Sequence, residues 1–174
     1  PRIFLGGNIR RSVFAFLERV RPHDIIILEL SSFQLDDMAH DTWFGVKSRK
    51  SPHIAVLTNI MRDHINWHGS MIRYIGAKKV IFRYQNKDDH LFVNPFDKKV
   101  TDMARSARAH VHTPILPKQW NRIVDERIGP HYRTSVALAA AVAMHLGVTR
   151  ASILSVLKTF KELEGRQEYL GMIH

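Results

Sequence analysis

A carboxylate closes the apolar run at residues 25–28, and three polar residues follow it closely. Glu29 ends this run, and Ser31, Ser32 and Gln34 come shortly after it. A carboxylate inside a buried strand is costly unless it is paired, hydrogen-bonded or bound to a metal ion. The stretch therefore predicts either structural pairing of Glu29 or chemistry at the end of a strand.

Polar residues also end two later apolar runs. Asn59 closes the second run and is followed by Asp63 and His64, while Asn94 closes the third. Ligands of open α/β sheets bind beyond the carboxyl ends of the strands, so these residues are candidates for chemistry. His64 and His68 are four residues apart, but the stretch lacks the glutamate of a zinc-protease helix, which makes zinc the less favoured interpretation.

A pair of glycines precedes a possible helix start near residue 8. Residues 5–8 read Leu-Gly-Gly-Asn, with Asn8 as a candidate helix cap. Free backbone amides at the positive end of a helix suit a phosphate, so this stretch could bind an anion. Two glycines at a turn, however, more often serve backbone geometry than an anion site.

Short apolar runs alternate with helical patterns along most of the chain. Strands are predicted at 25–30, 53–60, 90–94 and 109–113, and helices at 9–19, 71–83, 98–108, 134–147 and 149–163. Three prolines and little periodicity favour loop or weak β structure over 113–131. The alternation predicts an α/β fold in which helices cover both faces of a mostly parallel sheet.

Composition excludes several classes of protein. Hydrophobic residues make up 45% of the 174 residues, and the absence of cysteine excludes disulfide scaffolds and thiolate metal sites. The absence of cysteine favours a cytoplasmic protein. No apolar run reaches the roughly 18 residues of a membrane span, so membrane insertion is not expected. Lysine and arginine number 26 against 16 acidic residues, and the net charge of +10 favours anionic partners. On this ground alone, a basic nucleic-acid-binding α/β module is one alternative.

Four stretches together resemble the central domain of the Mur ligases. They are LGGNI at 5–9, LELSSFQLD at 28–36, AVLTNIMRDHINWHGSMIRYIGAKKVIF at 55–82, and a last stretch with GPHYRTSVALAAAVAMHLGV at 129–148, ILSVLKTFKEL at 153–163 and GRQE at 165–168. The resemblance covers nearly the whole chain, and the ELSSFQL stretch is typical of the branch that adds D-glutamate. It implies a Rossmann-like, P-loop-type sandwich fold. It also implies an ATP-dependent ligase that joins D-glutamate to UDP-N-acetylmuramoyl-L-alanine during bacterial peptidoglycan synthesis.

The resemblance assigns roles to individual residues. Three positions match the family's magnesium site: Glu29, His64 and Lys78, the last as a carbamate. Three match residues that hold the UDP-sugar: Asn8, Ser31 and Gln34. Three match positions near the phosphates and adenine of ATP: Arg166, Tyr132 and Ser135. Helix capping, structural pairing or a solvated charge is the alternative for each. The implied reaction is phosphorylation of the substrate carboxylate by ATP, followed by attack of the amine of D-glutamate on the acyl phosphate.

The chain also departs from the family's pattern. Arg10 stands where the family has glycine, and Tyr132 and Ser135 replace two asparagines that reach adenine. The family's phosphate loop would precede residue 5, and its N-terminal and C-terminal domains would flank the chain. Residues 1–174 are therefore predicted to be a partial central domain that is inactive alone. A ligase-derived binding or regulatory protein without ATP turnover is the second interpretation.

Overall fold

The computed structural model describes residues 1–40 and 50–160. The strands are β1 (Ile3–Gly7), β2 (Ile25–Glu29), β3 (Ile54–Leu57), β4 (His90–Val93) and β5 (His110–His112). The helices are α1 (Ser32–His40), α2 (Ile65–His68), α3 (Met71–Arg83), α4 (Lys98–Ala104), α5 (Lys118–Arg127), α6 (Arg133–His145) and α7 (Arg150–Thr159). Short 3-10 turns lie at Val13–Ala15, Leu17–Arg19 and Pro130–Tyr132. No helix in these two described ranges has the length and apolar character that a membrane span requires.

The described residues form two compact units, and each unit draws on two stretches of chain. Unit 1 contains the described part of residues 1–51 together with 62–84, and unit 2 contains 52–61 and the described residues from 85 onward. Unit 1 has a two-stranded parallel sheet of β1 and β2, and unit 2 has a three-stranded parallel sheet in the order β3-β4-β5. The predicted α/β class with parallel strands is confirmed, but the strands lie in two sheets rather than one.

Strand β2 is more exposed than its apolar sequence predicts. Ile26, Ile27 and Leu28 keep 42%, 50% and 40% of their surface exposed, and Glu29 is exposed as well. Among the described residues β2 pairs with β1 alone, which leaves one edge of β2 without a neighbouring strand. The prediction of a buried strand is therefore wrong at this position. Because Glu29 is exposed, its carboxylate is not desolvated and needs no partner to offset burial.

Helix α3 follows its sequence signals closely. The hydroxyl of Ser70 accepts a hydrogen bond from the amide of Arg73 and so caps the helix. The buried residues of the helix are Tyr74, Ala77, Val80 and Phe82. The predicted bounds of 71–83 are confirmed, and the helices predicted at 98–108 and 134–147 correspond to α4 and α6. Helix α7 begins after the predicted cap Thr149, while the last predicted residues, 161–163, lie outside the described part.

The helix predicted at residues 9–19 does not form. Arg10 adopts a left-handed backbone with φ of 58°, which an α-helix does not allow. Ser12 then caps a 3-10 turn, and Phe16 is buried against Phe4 with the ring centroids 5.2 Å apart. The prediction is wrong because the left-handed residue Arg10 breaks the helical backbone, and the chain then turns so that the ring of Phe16 packs on β1.

Residues 113–131 contain α5 rather than loop or weak β structure. The prolines lie at 114, 117 and 130, so they flank the helix and do not interrupt it. Trp120, Val124 and Ile128 recur every four residues and are buried in the apolar cluster of unit 2. That spacing indicates a helix, and the prediction of loop or weak β structure is wrong because prolines outside a helix do not prevent it from forming.

Histidines of unit 2 form a connected group, here called the histidine cluster: His53, His90, His110, His112 and His145. The ring centroid of His90 lies 4.0 Å from that of His145, 5.2 Å from that of His112 and 5.5 Å from those of His53 and His110. Nδ1 of His90 is 3.0 Å from Nε2 of His112, and His53 contacts the carboxylate of Asp89. Burial and the neighbouring histidines lower the pKa of His90 and of His112.

Acidification is expected to destabilise unit 2 through this cluster. Because the pKa values of His90 and His112 lie below 6.5 in the folded chain, the unfolded chain takes up protons first as the pH falls below that value. The contribution of these groups to the free energy of unfolding is constant above about pH 6.5 and falls below it. Urea unfolding midpoints at about pH 8 and about pH 5.5 measure the effect.

The variant His112→Phe tests the origin of this pH dependence. Phenylalanine keeps a ring against Phe92, whose centroid lies 4.3 Å from that of His112, but it cannot be protonated. The difference between the two midpoints should therefore be smaller in the variant than in the unmodified chain. An unchanged difference would show that the acid sensitivity arises elsewhere.

Candidate functional site

The ends of β1 and β2 place Asn8 against Glu29. Gly7 and Glu29 are partners in the parallel register, and the amide of Asn8 donates to the carbonyl oxygen of Glu29 at 2.8 Å. Nδ2 of Asn8 donates to Oε1 of the Glu29 carboxylate at 3.1 Å. Asn8 thus lies in a turn and not at a helix start, so the predicted anion site at a helix N-terminus is wrong. The side chain of Asn8 donates to a carboxylate, and its role in holding the UDP-sugar stays a prediction.

Gly7 makes this close approach possible. Its φ is +93°, and a Cβ atom at this position would overlap the carbonyl oxygen of Glu29. Only glycine combines this backbone conformation with so close a neighbouring strand. Of the two interpretations of the glycine pair, backbone geometry is therefore the one that the structure supports at Gly7.

Ser31 and Gln34 form a capping box at the start of α1. The amide of Ser31 donates to Oε1 of Gln34 at 2.9 Å, and the amide of Gln34 donates to Oγ of Ser31 at 3.2 Å. The hydroxyl of Ser31 also donates to Oε1 of Gln34 at 3.1 Å. This reciprocal arrangement satisfies backbone donors that a helix N-terminus leaves free. The structural alternative for both residues is present, and their role in substrate binding stays a prediction.

Asp63 and His64 lie on the loop that leads into α2. His64 has a left-handed backbone, with φ of 52° and ψ of 27°. Its amide donates to Oδ1 of Asp63 at 2.8 Å, and its Nε2 lies 3.3 Å from Oδ2 of the same carboxylate. The ring centroid of His64 is 4.7 Å from that of Phe33 on α1. The loop therefore holds His64 beside the helix that the capping box begins.

Lys78 is half-buried on α3, and its ammonium lies 5.8 Å from the ring centroid of Tyr74. Burial lowers the pKa of Lys78, while the negative charges of Asp63 and Glu29 oppose that shift. Burial and the charge of Asp63 also raise the pKa of Tyr74. Glu29, Asp63 and Lys78 therefore share one electrostatic neighbourhood. The neutral amine, which carbamylation requires, is more populated here than on an exposed lysine.

The donor set of this neighbourhood suits a magnesium nucleotide. Glu29 and Asp63 supply carboxylate oxygens, and a carbamate on Lys78 would add a third anionic group. In residues 1–40 and 50–160, no three histidine, aspartate or glutamate side chains are arranged to hold a metal ion by themselves. Magnesium is usually held by one or two protein carboxylates together with waters and substrate phosphates. The side chains present fit that mode of binding better than a closed protein cage.

The described residues that are predicted to approach ATP belong to unit 2, whereas Glu29, His64 and Lys78 belong to unit 1. Tyr132 lies at the N-terminus of α6, packs partly buried against the apolar cluster of unit 2, and has its ring centroid 4.3 Å from that of His131. Ser135 is exposed in the first turn of α6. Arg166 lies outside the described residues. The roles of all three toward ATP stay predictions.

Two residues matter more than the sequence patterns indicated. Asp63, already a candidate from its place after the second apolar run, contacts His64, and its negative charge opposes the lowered pKa of Lys78. His68 was considered as a zinc partner of His64. In the structure, His68 is buried instead, and its Nε2 lies 3.0 Å from Oγ of Ser32.

Comparisons with known proteins identify close relatives. The family model described as the Mur ligase middle domain matches residues 11–131. A UDP-N-acetylmuramoylalanine--D-glutamate ligase from Lacticaseibacillus casei is 34% identical over 192 residues, which cover 98% of this chain and 39% of that protein. Another ligase of this name, from Elusimicrobium minutum, is 29% identical over 189 residues, which cover 98% of this chain and 40% of that protein.

A solved structure shows the same fold. The crystal structure of MurF from Acinetobacter baumannii aligns with a TM-score of 0.64 at 16% identity, covering 99% of this chain and 42% of that one. The chain thus spans about 40% of the length of the relatives it matches. Since the family model covers most of the chain, the assignment of the family does not depend on any one relative. The chain belongs to the Mur ligase family, and the part of the family that it matches is the middle domain.

Proposed function

We propose that this chain is the part of an ATP-dependent ligase that brings ATP and UDP-N-acetylmuramoyl-L-alanine together for the addition of D-glutamate. The observation that carries the proposal is the match of residues 11–131 to the Mur ligase middle domain. The lowered pKa of the half-buried Lys78, which the charges of Asp63 and Glu29 oppose, supports it. The substrates come from the names of the relatives, which are UDP-N-acetylmuramoylalanine--D-glutamate ligases. Such an enzyme works in the bacterial cytoplasm, where it supports cell-wall synthesis, cell shape and division.

The proposed reaction has two steps. A carboxylate oxygen of the L-alanyl group attacks the γ-phosphorus of ATP, the bond to the bridging oxygen breaks, and ADP leaves. The amine of D-glutamate then attacks the acyl carbon, loses a proton, and displaces inorganic phosphate. Each step brings two anionic reactants together, so positioning and electrostatic stabilisation supply most of the catalysis.

One group of residues would hold the magnesium ion. Glu29 and the carbamate of Lys78 are the proposed ligands, and Asn8 keeps the Glu29 carboxylate in place through its 3.1 Å hydrogen bond. His64, which contacts the carboxylate of Asp63, is the third residue proposed for the magnesium site. Magnesium would neutralise phosphate oxygens and so reduce the repulsion between ATP and the attacking carboxylate.

A second group would bind the two large substrates. Ser31 and Gln34 would hold the UDP-sugar from the same turn that caps α1. Tyr132 could stack on adenine, Ser135 could offer one hydrogen bond to it, and Arg166 would approach the phosphates. Tyrosine and serine do not reproduce the paired donor and acceptor of an asparagine amide, so we expect weaker discrimination of adenine than two asparagines would give.

The carbamate is a covalent modification of Lys78. The neutral amine attacks the carbon of carbon dioxide, a nitrogen–carbon bond forms, an electron pair of one carbon–oxygen double bond moves to oxygen, and a proton passes to water. A cation thereby becomes an anion. The lowered pKa of Lys78 supports this step, because it increases the fraction of neutral amine at a given pH.

The function is tested with the complete polypeptide that the gene encodes. Phosphate release is measured with magnesium-ATP, UDP-N-acetylmuramoyl-L-alanine and D-glutamate, and again with each component omitted or with L-glutamate in place of D-glutamate. We expect release only when all three substrates are present and the amino acid has the D configuration. Absence of D-glutamate-dependent release from folded protein would overturn the proposal.

A ligase-derived binding protein is the second candidate, and the packing of Tyr132 against the apolar cluster of unit 2 favours it. This candidate predicts that calorimetry detects binding of the UDP-sugar to the complete polypeptide without phosphate release. Binding with turnover would reject it. Tight binding to random DNA that weakens steeply with salt would instead favour the basic nucleic-acid-binding module that the net charge suggests.

A further inference from the structure

A buried polar pair links two elements of unit 1. Ser32 and His68 have 2% and 4% of their surface exposed, and Nε2 of His68 lies 3.0 Å from Oγ of Ser32. In the part of the chain that the structure describes, the one other buried polar side chain is Gln85, which belongs to unit 2. A buried polar group is costly unless it is hydrogen-bonded, so the two side chains depend on each other.

The imidazole of His68 also contacts rings from two helices. It stacks on Phe33 of α1 with centroids 5.6 Å apart and planes inclined by 18°. It lies 5.5 Å from the ring centroid of Tyr74 on α3, whose ring in turn lies below the ammonium of Lys78. His68, the last residue of α2, therefore contacts α1 and α3 at once.

We propose that His68 is a positioning residue, whose hydrogen bond to Ser32 sets the place of the capping-box turn relative to the helix that carries Lys78. Ser32 lies between Ser31 and Gln34, so a displacement of Ser32 moves both members of the capping box. The proposal rests on the proposed function, because that turn is where the UDP-sugar is expected to bind and Lys78 is where the metal is expected to bind.

The hydrogen bond adds something that the ring contacts cannot supply. Ring contacts between His68, Phe33 and Tyr74 tolerate sliding of one helix past another, because dispersion is not directional. A hydrogen bond is directional and weakens steeply when its geometry changes. The imidazole therefore determines one relative position of the turn, whereas a purely apolar ring would allow several.

Hydrogen exchange tests this proposal without any need for ligase activity. His68→Phe keeps a ring for Phe33 and Tyr74 but leaves the hydroxyl of Ser32 without its partner. The amides of Ser31, Gln34 and Leu35 should then exchange about tenfold faster, while the amides of β4 in unit 2 serve as an internal control. Equally faster amide exchange throughout unit 1 would show a merely structural role. Unchanged exchange at the turn would show that His68 has no role there. Either result overturns the proposal.

The double variant Ser32→Ala/His68→Phe provides the matched comparison. Removing both partners leaves neither of these two positions with an unsatisfied polar group, but the directional bond is still absent. Exchange at the turn should therefore remain faster in the double variant than in the unmodified chain. Exchange restored to the rate of the unmodified chain would show that only the unpaired hydroxyl mattered, and it would overturn the positioning role.

Kinetics of the complete polypeptide provide the functional measurement. We expect His68→Phe to raise the KM for the UDP-sugar about tenfold while the KM for ATP changes less than about twofold. Equal changes in both constants would overturn a role in placing the turn. If the unmodified polypeptide shows no ligation, the proposed function fails, and the exchange measurement still decides whether His68 positions the turn.

Discussion

Replacing Lys78 with alanine in the complete polypeptide is expected to lower kcat for D-glutamate addition by about 100- to 1,000-fold, the usual loss when one electrostatic group of an active site is removed. The reason is the loss of the carbamate anion that would hold magnesium with Glu29. Lys78→Arg should be as inactive, because arginine keeps the positive charge and cannot form the carbamate under these conditions. Initial rates of phosphate release measure both variants.

Two controls separate the carbamate from other effects of the substitution. Small carboxylic acids such as formate or acetate should restore part of the activity of Lys78→Ala, because they can supply a carboxylate in the space that the side chain leaves. Lys79→Ala changes the neighbouring lysine on the same helix and should alter kcat less than about twofold. Full activity of Lys78→Ala, or equal losses in the two variants, would contradict the role of Lys78.

Replacing Gly7 with alanine is expected to destabilise unit 1 by about 2–4 kcal/mol. Its φ of +93° is unfavourable for alanine, and the added Cβ would overlap the carbonyl oxygen of Glu29. The ends of β1 and β2 must then separate, which breaks the hydrogen bond from the amide of Asn8 to that carbonyl. Urea unfolding measures the loss, and in the complete polypeptide ligation should fall as well because Glu29 moves.

Gly76→Ala is the matched control for the change at Gly7. Gly76 lies inside α3, and among the described residues no atom outside its chain neighbours and the surrounding helix backbone lies within 4 Å of the position that its Cβ would take. Alanine is the better helix former, so this variant should be more stable by about 0.5–1 kcal/mol. The same change from glycine to alanine is therefore expected to lower the free energy of unfolding at position 7 and to raise it at position 76. Destabilisation of similar size at both positions would contradict the argument from geometry.

The sequence patterns located much of the secondary structure, but they missed β1, α1, α2 and α5 and predicted a helix at 9–19 that does not form. Two glycines end β1, and glycine lowers the apparent propensity for a strand even where the backbone requires it. At α1, the Ser31-x-x-Gln34 spacing is that of a capping box, but these polar residues were interpreted as substrate ligands. At β1 and α1, residues with a structural role in a turn or a helix cap are the same residues that were expected to bind substrate or phosphate.

The candidate site could be predicted only in part, for a physical reason. Residue types and the family resemblance predict that Glu29, His64 and Lys78 share a site. In the structure, the charge of Glu29 acts on the pKa of Lys78. The contact between Ser32 and His68 joins residues far apart in sequence, and its two members have no shared pattern. Such a pairing depends on tertiary packing, which periodicity and spacing do not report.

The division of the chain has a consequence for its synthesis on the ribosome. The chain passes from one unit to the other after Ser51, after Met61 and after Tyr84. Synthesis from the N-terminus therefore delivers all of unit 1 before β4 emerges, although β3 has emerged earlier. Strand β3 pairs with β4, so its apolar residues lack their partner strand while the rest of unit 1 is synthesised. Residues 52–61 of the nascent chain are consequently the stretch that we expect chaperones to protect.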